Sequence, residues 1–530
     1  MTHWSIVADL NRCIGCQTCT SACKHANATA PGVQWRKVLD FEAGEFPDVS
    51  RAFVPVGCMQ CDEPPCLDVC PSTATRKRDD GIVTIDYDLC IGCAYCALAC
   101  PYQARSRVDK PNKAYKQGRM RHEKQREVPR RIGVAQKCTF CFDRIDAGLA
   151  DGLTPGVDPD ATPVCVNSCI TGALYFGDMD NPDSNVSKLL DENSHFQMHT
   201  DVGTGPNIHY LWERGPAEGP APDTPEMVAE PVGMDSISPT LQKNWDWRAA
   251  ANFIGGGTGT GLFAATTIAA ITGATTLSPA SAWPAGLLAL AFVALGLFCV
   301  WLEIGRPWRF INVLFHAKKS WMTREAMAAM AFFPLGAAAI FFANTPLLIF
   351  AAIAGLVFLY CQSQILQAAK GIPAWRQQGI VPLIFSTGLT EGLGLFAVLD
   401  ITRPVSPSGH PGLTLLLLVF VAVRYLTWRS YRKALGRQGA PTQSLKVFDQ
   451  DRFGLTALPQ LVTAAILVGS IYIPSLLIVG GLLTLASGWW FKYSLITRAA
   501  YNQGYAVTRM PARGAGKSAP GIKPGWTATP

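Results

Sequence analysis

From about residue 251 onward the apolar positions stop alternating with polar ones and run together. Eight stretches, roughly 251–273, 283–302, 324–343, 346–368, 380–399, 411–428, 455–474 and 475–496, approach the ~20 residues that a helix needs to cross a bilayer. The tight turns "ANTP" (343–346) and "YIPS" (472–475) join the third stretch to the fourth and the seventh to the eighth, which predicts antiparallel helical hairpins. Before residue 251 the pattern is different. Short apolar runs such as "RAFVPVGC", "GIVTIDYDLC" and "GALYFGD" alternate with polar turns and read as brief strands. The patterning therefore predicts an α+β module over 1–180 followed by an all-α eight-helix transmembrane bundle over 251–497. Between them, 181–250 is rich in Pro, Gly, Asp and Asn ("RGPAEGPAPDTPEMVAEPVG") and predicts an irregular linker. Residues 498–530 predict a disordered tail.

Cysteine usage sharpens the first half. Of 18 cysteines, all but Cys299 and Cys361 fall between Cys13 and Cys169. They form four groups of four: Cys13, Cys16, Cys19, Cys23; Cys58, Cys61, Cys66, Cys70; Cys90, Cys93, Cys96, Cys100; and the split group Cys138, Cys141, Cys165, Cys169. The first group has C-x2-C-x2-C-x3-C spacing, that of bacterial ferredoxins, in which three thiolates and a fourth from elsewhere hold a [4Fe–4S] cube. Structural zinc takes four ligands, usually from two separated pairs, and disulfides are the other alternative. Four complete groups point to four [4Fe–4S] clusters. In two-cluster ferredoxins the fourth cysteine of each run serves the other cluster. The repeated "CIGC" of groups one and three marks an internal duplication, hence a double ferredoxin-like module. Cys299 and Cys361 read as small buried apolar residues.

The net charge of +7 is modest, and its placement at the ends of apolar segments favours membrane topology over nucleic acid. Arg306, Arg309, Lys318, Lys319 and Arg324 lie in the loop after the second stretch, Lys370 and Arg376 after the fourth, and six more between the sixth and seventh, against Arg403 on the opposite side. The positive-inside rule then puts both termini and the cysteine module in the cytoplasm, on a bacterial inner membrane. The N-terminus "MTHWSIVADLNRC" shows no export signal, in keeping with that orientation. The basic stretch 105–131 reads either as a solvated loop or as a docking surface.

On these motifs, residues 3–180 resemble the four-cluster electron-transfer subunit of the DMSO reductase family of complex iron–sulfur molybdoenzymes. The segment "LEIGRPWRFINVLFHAKKSWMTREAM" resembles the loop after the second helix of that family's eight-helix membrane anchor. The resemblance implies four ligand sets: Cys13, Cys16, Cys19 with Cys169 (cluster one); Cys138, Cys141, Cys165 with Cys23 (cluster two); Cys90, Cys93, Cys96 with Cys70 (cluster three); and Cys58, Cys61, Cys66 with Cys100 (cluster four). It also implies a separate catalytic subunit carrying the molybdopterin cofactor, and exchange of electrons with the membrane quinone pool.

Histidines are few in the membrane half, His316 and His410, both in loops predicted on opposite sides, so no transmembrane haem is expected. Electrons must then pass directly between a cluster and quinone. Glu303, Arg306, Arg309, His316 and Arg324, with Trp321 and Glu325, crowd the cytoplasmic side and are candidates for the quinone site. The family pattern has a histidine where this chain has Glu303, which points toward the cytoplasm-facing sulfite dehydrogenase branch. The expected role is a redox subunit that carries no substrate chemistry of its own, passing electrons from sulfite oxidation to quinone. Alternatives are a reductase of S-oxides or another oxyanion fed by menaquinol, an ion-translocating module resting on the intramembrane Glu391, and a scaffold without electron transfer.

Overall fold

The computed structural model describes residues 2–46, 48–111, 113–211, 239–273, 282–402 and 410–505. Arg403 and residues 506–530 lie outside them.

The N-terminal module is organised on a four-stranded sheet in the order Leu174–Asp178, Trp4–Asp9, Ile208–Leu211, His195–Phe196. Trp4–Asp9 runs antiparallel to Leu174–Asp178, with Ile6 opposite Phe176, and parallel to Ile208–Leu211, with Ile6 opposite Ile208. A hairpin, Arg36–Glu45 with Asp48–Gly57, lies beside it. Cys13, Cys19, Cys23, Cys58, Cys61, Cys138, Cys165 and Cys169 pack with Val54, Val56, Phe140, Phe176 and Tyr210 in one core, while Cys66, Cys70, Cys90 and Cys96 pack in a second core with Phe253, Ile365 and Phe491 of the membrane half.

Folded structure continues beyond residue 180, where an irregular linker was expected. Asn185–Glu192 is a helix capped by Ser184, and Ile208–Leu211 is the central partner of the first strand. The strand "IHYL" is four residues long and follows Gly, Pro and Asn. Its signal is therefore weak in sequence, although Ile208 and Tyr210 are fully buried. Residues 212–238, which hold the Pro- and Gly-rich run, lie outside the described residues.

The second half is helical. Among the described residues, seven helices are long and apolar enough to span a membrane: Trp247–Ile271, Trp283–Glu303, Trp321–Phe341, Thr345–Ala368, Ile380–Asp400, Pro411–Arg437 and Leu476–Thr497. The seventh expected span, 455–474, is shorter. Its helix, Ala457–Gly469, has 13 residues and reaches about 20 Å at 1.5 Å per residue, against a hydrocarbon core of about 30 Å. The chain before it is held in turns by Asp451, which accepts from the Phe453 and Gly454 amides. The first and fifth helices touch backbone to backbone through Gly257 and Gly261 on one and Gly388 and Gly392 on the other, a small-residue seam that apolar surroundings favour.

After the last helix the chain turns back onto the N-terminal module. Tyr501 pairs with Leu241, the Asn502 amide donates to Thr240, and His199 Nε2 lies 3.0 Å from the Gly504 carbonyl. Residues 498–505 are thus ordered, in contrast to the disordered tail expected from 498 onward.

Candidate metal centres and membrane pocket

The first C-x-x-C turn of each group shares one backbone device. The residue before the second cysteine is left-handed in each: Gly15 (φ +73), Gln60 (+48), Gly92 (+73) and Phe140 (+53). This repeats the duplication seen in the sequence. None of the 18 cysteines is in a disulfide.

The fold brings the thiols together across groups. Cys70, the last of group two, faces Cys90, Cys93 and Cys96 of group three. Cys100, the last of group three, faces Cys58 and Cys66, and Cys61 adjoins the same three. Cys23 faces Cys138, Cys141 and Cys165, while Cys19 faces Cys13 and Cys169. Cys16 lies at the exposed rim, its Sγ 3.3 Å from Thr18 Oγ1. These sets also adjoin one another: Cys19 with Cys165, Cys138 with Cys58, Cys66 with Cys96. Sulfur thus runs from the first group, through the fourth and second, to the third.

Burial pushes these thiols up, Cys19, Cys100 and Cys138 to about 12 and Cys66 and Cys96 to about 11, because a thiolate loses its hydration there. Thiols that resist ionisation on their own are held as thiolates when a metal takes the place of the proton. Donors already point at sulfur: Arg105 Nη2 to Cys66 Sγ at 2.9 Å, the Ala173 amide to Cys169 at 3.3 Å and the Phe140 amide to Cys138 at 3.4 Å. Buried thiols in fours with such donors fit iron–sulfur clusters.

The third group is also where the module meets the membrane helices. Gly92, Gly133 and Gly305 approach so closely that a Cβ on Gly92 would lie 1.9 Å from the Gly133 carbonyl oxygen, and one on Gly305 2.1 Å from the same atom. Across this contact the Gly305 amide donates to Gly92 and the Arg306 amide to Ile91. Arg306 Nε donates to the Ile132 carbonyl (2.9 Å), Arg309 Nη1 to that of Tyr87 (2.7 Å), and His316 Nδ1 lies 2.8 Å from the Cys70 carbonyl. Arg324 instead holds the Ala317 and Lys318 carbonyls and stacks on Trp321. From the other side Tyr95 donates to the Ile365 carbonyl, and Trp245 Nε1 to that of Cys93 (3.0 Å).

Beneath Cys93 a small cavity of about 50 Å³ opens between the first four membrane helices. Cys93, Trp245, Asn252, Glu303, Met322 and Glu325 line it. Of the seven residues expected around the quinone site, the structure brings Glu303 and Glu325 there; Arg306, Arg309 and His316 hold the cluster-bearing loops, Arg324 holds its own loop, and Trp321 stacks under Arg324. Glu303 Oε1 accepts from the Asp246 amide (3.0 Å), and Glu325 Oε1 from Asn252 Nδ2 (3.2 Å). Sequence reasoning missed Asn252, whose signal was a lone amide in an apolar run, and Trp245, hidden at the edge of the expected linker.

Glu391 lies deeper in the bundle with partners that were also missed. Lys492 Nζ stands 2.7 Å from Glu391 Oε2, with both side chains fully buried, and Thr258 donates to the same oxygen. Arg424, also fully buried, donates to the Thr484 carbonyl, Gln460 and Ser487. Lys492 and Arg424 stood in apolar runs, where a single charge is easily passed over.

Comparison with known proteins agrees with this division. Residues 49–132 match the family model described as a 4Fe-4S dicluster domain, and residues 245–427 that of the DMSO reductase anchor subunit. A selenate reductase subunit of Mesobacillus selenatarsenatis is 41% identical over 225 residues, covering 39% of this chain and 72% of the relative. A sulfite dehydrogenase subunit of Allochromatium vinosum is 37% identical, covering 40% and 85%. A tetrathionate reductase subunit of Salmonella typhimurium is 36% identical, covering 39% and 72%. The chain belongs to the iron–sulfur electron-transfer subunits of the DMSO reductase family, here continuous with a membrane anchor of the DmsC type.

Proposed function

We propose that this chain carries electrons from sulfite oxidation, performed by a separate molybdopterin-bearing subunit, to membrane quinone. The carrying observation is Cys93: it belongs to the last thiol set of the row and also lines the membrane cavity. The proposed ligand sets are Cys13, Cys16, Cys19, Cys169; Cys23, Cys138, Cys141, Cys165; Cys58, Cys61, Cys66, Cys100; and Cys70, Cys90, Cys93, Cys96. When bound, four [4Fe–4S] clusters would supply one-electron chemistry along this row.

Quinone reduction consumes two electrons and two protons, so the protein must hold protons beside the ring. Glu303 and Glu325 are the carboxyl groups at the cavity, and Asn252 orients Glu325. Asp246, whose amide holds Glu303, is part-exposed and links that carboxyl to the surface. A cavity of about 50 Å³ suits a few waters at most; a quinone ring enters by displacing lining side chains. Arg306, Arg309 and His316 fix the third group above the cavity, and we assign them to docking.

Loop charge supports an inner-membrane orientation with the cluster module and both termini cytoplasmic. Sulfite is favoured by the sulfite dehydrogenase relative, matched over 85% of its length, and by Glu303 at the family's histidine position. A second reading, menaquinol feeding an oxyanion or S-oxide reductase, is favoured by the selenate and tetrathionate reductase relatives. The complex purified from its native membrane decides between them. Sulfite-dependent reduction of a quinone analogue supports the first reading; inertness to sulfite with quinol-driven reduction of an oxyanion or S-oxide establishes the second.

A further inference from the structure

Three cations are buried in the iron–sulfur module, and among the described residues none of them forms an ion pair with a carboxylate. Arg36 is 1% exposed, and Nε, Nη1 and Nη2 all lack a hydrogen-bond partner. Lys137 is fully buried and donates only to neutral oxygens: the carbonyls of Cys138 (2.8 Å) and Val83, and Gln60 Oε1 (3.4 Å). Arg105 is 6% exposed and donates to Thr75 Oγ1 (3.0 Å) and Cys66 Sγ (2.9 Å).

A buried charge left uncompensated costs several kcal/mol, and three in one small module would not persist without anions. The groups they face are thiols. Arg36 looks onto Cys165, Cys138 and Cys19, which belong to the first and second sets. Arg105 looks onto Cys66, Cys58 and Cys100 on one side and Cys96 on the other, the fourth and third sets. Lys137 sits between them, bonded to the Cys138 carbonyl and facing Cys66, the second and fourth sets. Each junction in the row of sulfur therefore holds one cation.

We propose that Arg36, Lys137 and Arg105 are the built-in counter-ions of the electron path, one at each junction between neighbouring clusters, and that they raise the reduction potentials on both sides. A cube with its four thiolates is a net anion and becomes more so on gaining an electron, and net charge is one determinant of cluster potential. A fixed cation between two sites favours the electron on either. Arg36 is the clearest case, because a guanidinium with no hydrogen bond serves no evident scaffolding purpose. The inference rests on the four-cluster reading above.

The experiment is a potentiometric titration of the full chain in its complex, followed by electron paramagnetic resonance, with iron counted in each variant. Arg36→Met should lower the reduced-to-oxidised ratio of at least one centre tenfold or more at fixed potential, a shift of at least 59 mV for one electron. Arg36→Lys, which keeps the charge and loses the fork, should stay close to the parent. Lys137→Met should shift at least one centre that Arg36→Met leaves in place. If Arg36→Met fails to assemble clusters and Arg36→Lys restores them, charge compensation is again the reason. Full iron with every centre within twofold of the parent ratio in Arg36→Met overturns the proposal, as does an equal shift, or equal loss of iron, in Arg36→Lys. A parent chain without iron would instead refute the cluster reading itself.

Discussion

The pair Glu391–Lys492 offers a sharp test of how charge is held inside the bundle. The two heads are 2.7 Å apart and neither is exposed. At an effective dielectric of about 20, opposite charges at that distance attract by about 6 kcal/mol, a sum largely offset by the cost of removing both from water. Arg424 is the next charge that each feels. The three groups together carry one net positive charge. Glu391→Gln leaves two buried cations and no anion, and should destabilise the bundle by about 3–5 kcal/mol. Lys492→Met leaves Arg424 to offset Glu391 and should cost less. The double variant restores the parent net charge and should recover most of the loss. The assay is thermal unfolding of the detergent-solubilised chain, where the single glutamine variant should lower Tm on the order of 10 °C. A double variant as unstable as Glu391→Gln, or a glutamine variant within about 1 kcal/mol of the parent, would refute the reasoning. The latter result, joined to a loss of ion movement with quinone reduction intact, would favour the ion-translocating alternative.

Four further outcomes are expected. Anaerobically purified chain should hold about 16 iron atoms, four per cube, and a zinc-dominated sample would sink the cluster assignment. Glu303→Gln should slow quinone turnover while every cluster signal remains; unchanged turnover removes this carboxyl from the site. Gly305→Ala has no room beside the Gly133 carbonyl, so it should separate the third group from the cavity and slow electron delivery to quinone with cluster content unchanged. His209 is buried beside His195, and burial lowers its pKa to about 3. The unfolded state therefore binds a proton first as pH falls through about 6.5, so the module should lose up to about 1.4 kcal/mol per pH unit from there toward pH 3; in His209→Phe that pH slope should flatten, as measured by denaturant unfolding.

The thiol groups and apolar spans were legible because their signals are local: fixed cysteine spacing and unbroken runs of apolar residues. What escaped depended on distant partners. "IHYL" becomes a central strand only because Trp4–Asp9 lies beside it. Ala457–Gly469 lies in an apolar stretch of full length, yet its helix is curtailed by turns anchored on Asp451. Arg306, Arg309 and His316 follow a membrane helix, a place that suits quinone contact and docking equally. Only the carbonyls of Ile132, Tyr87 and Cys70 distinguish the two roles. Arg36 sits in "VQWRKV", which looks like an ordinary surface strand until the thiols fold around it.

The return of residues 499–505 to the N-terminal module has a consequence for biogenesis. This segment emerges from the ribosome after all the helices, yet it pairs with Leu241 and seals against His199 and Tyr102. The clasp can close only when translation of the last span is finished. A chain stalled or cleaved before that point would keep the contacts of Gly305, Arg306, Tyr95 and Trp245 but lack the clasp on Thr240, Leu241 and His199. Completion of the membrane half is thus recorded on the module itself, in the contacts of Tyr501, Gly504 and Tyr505.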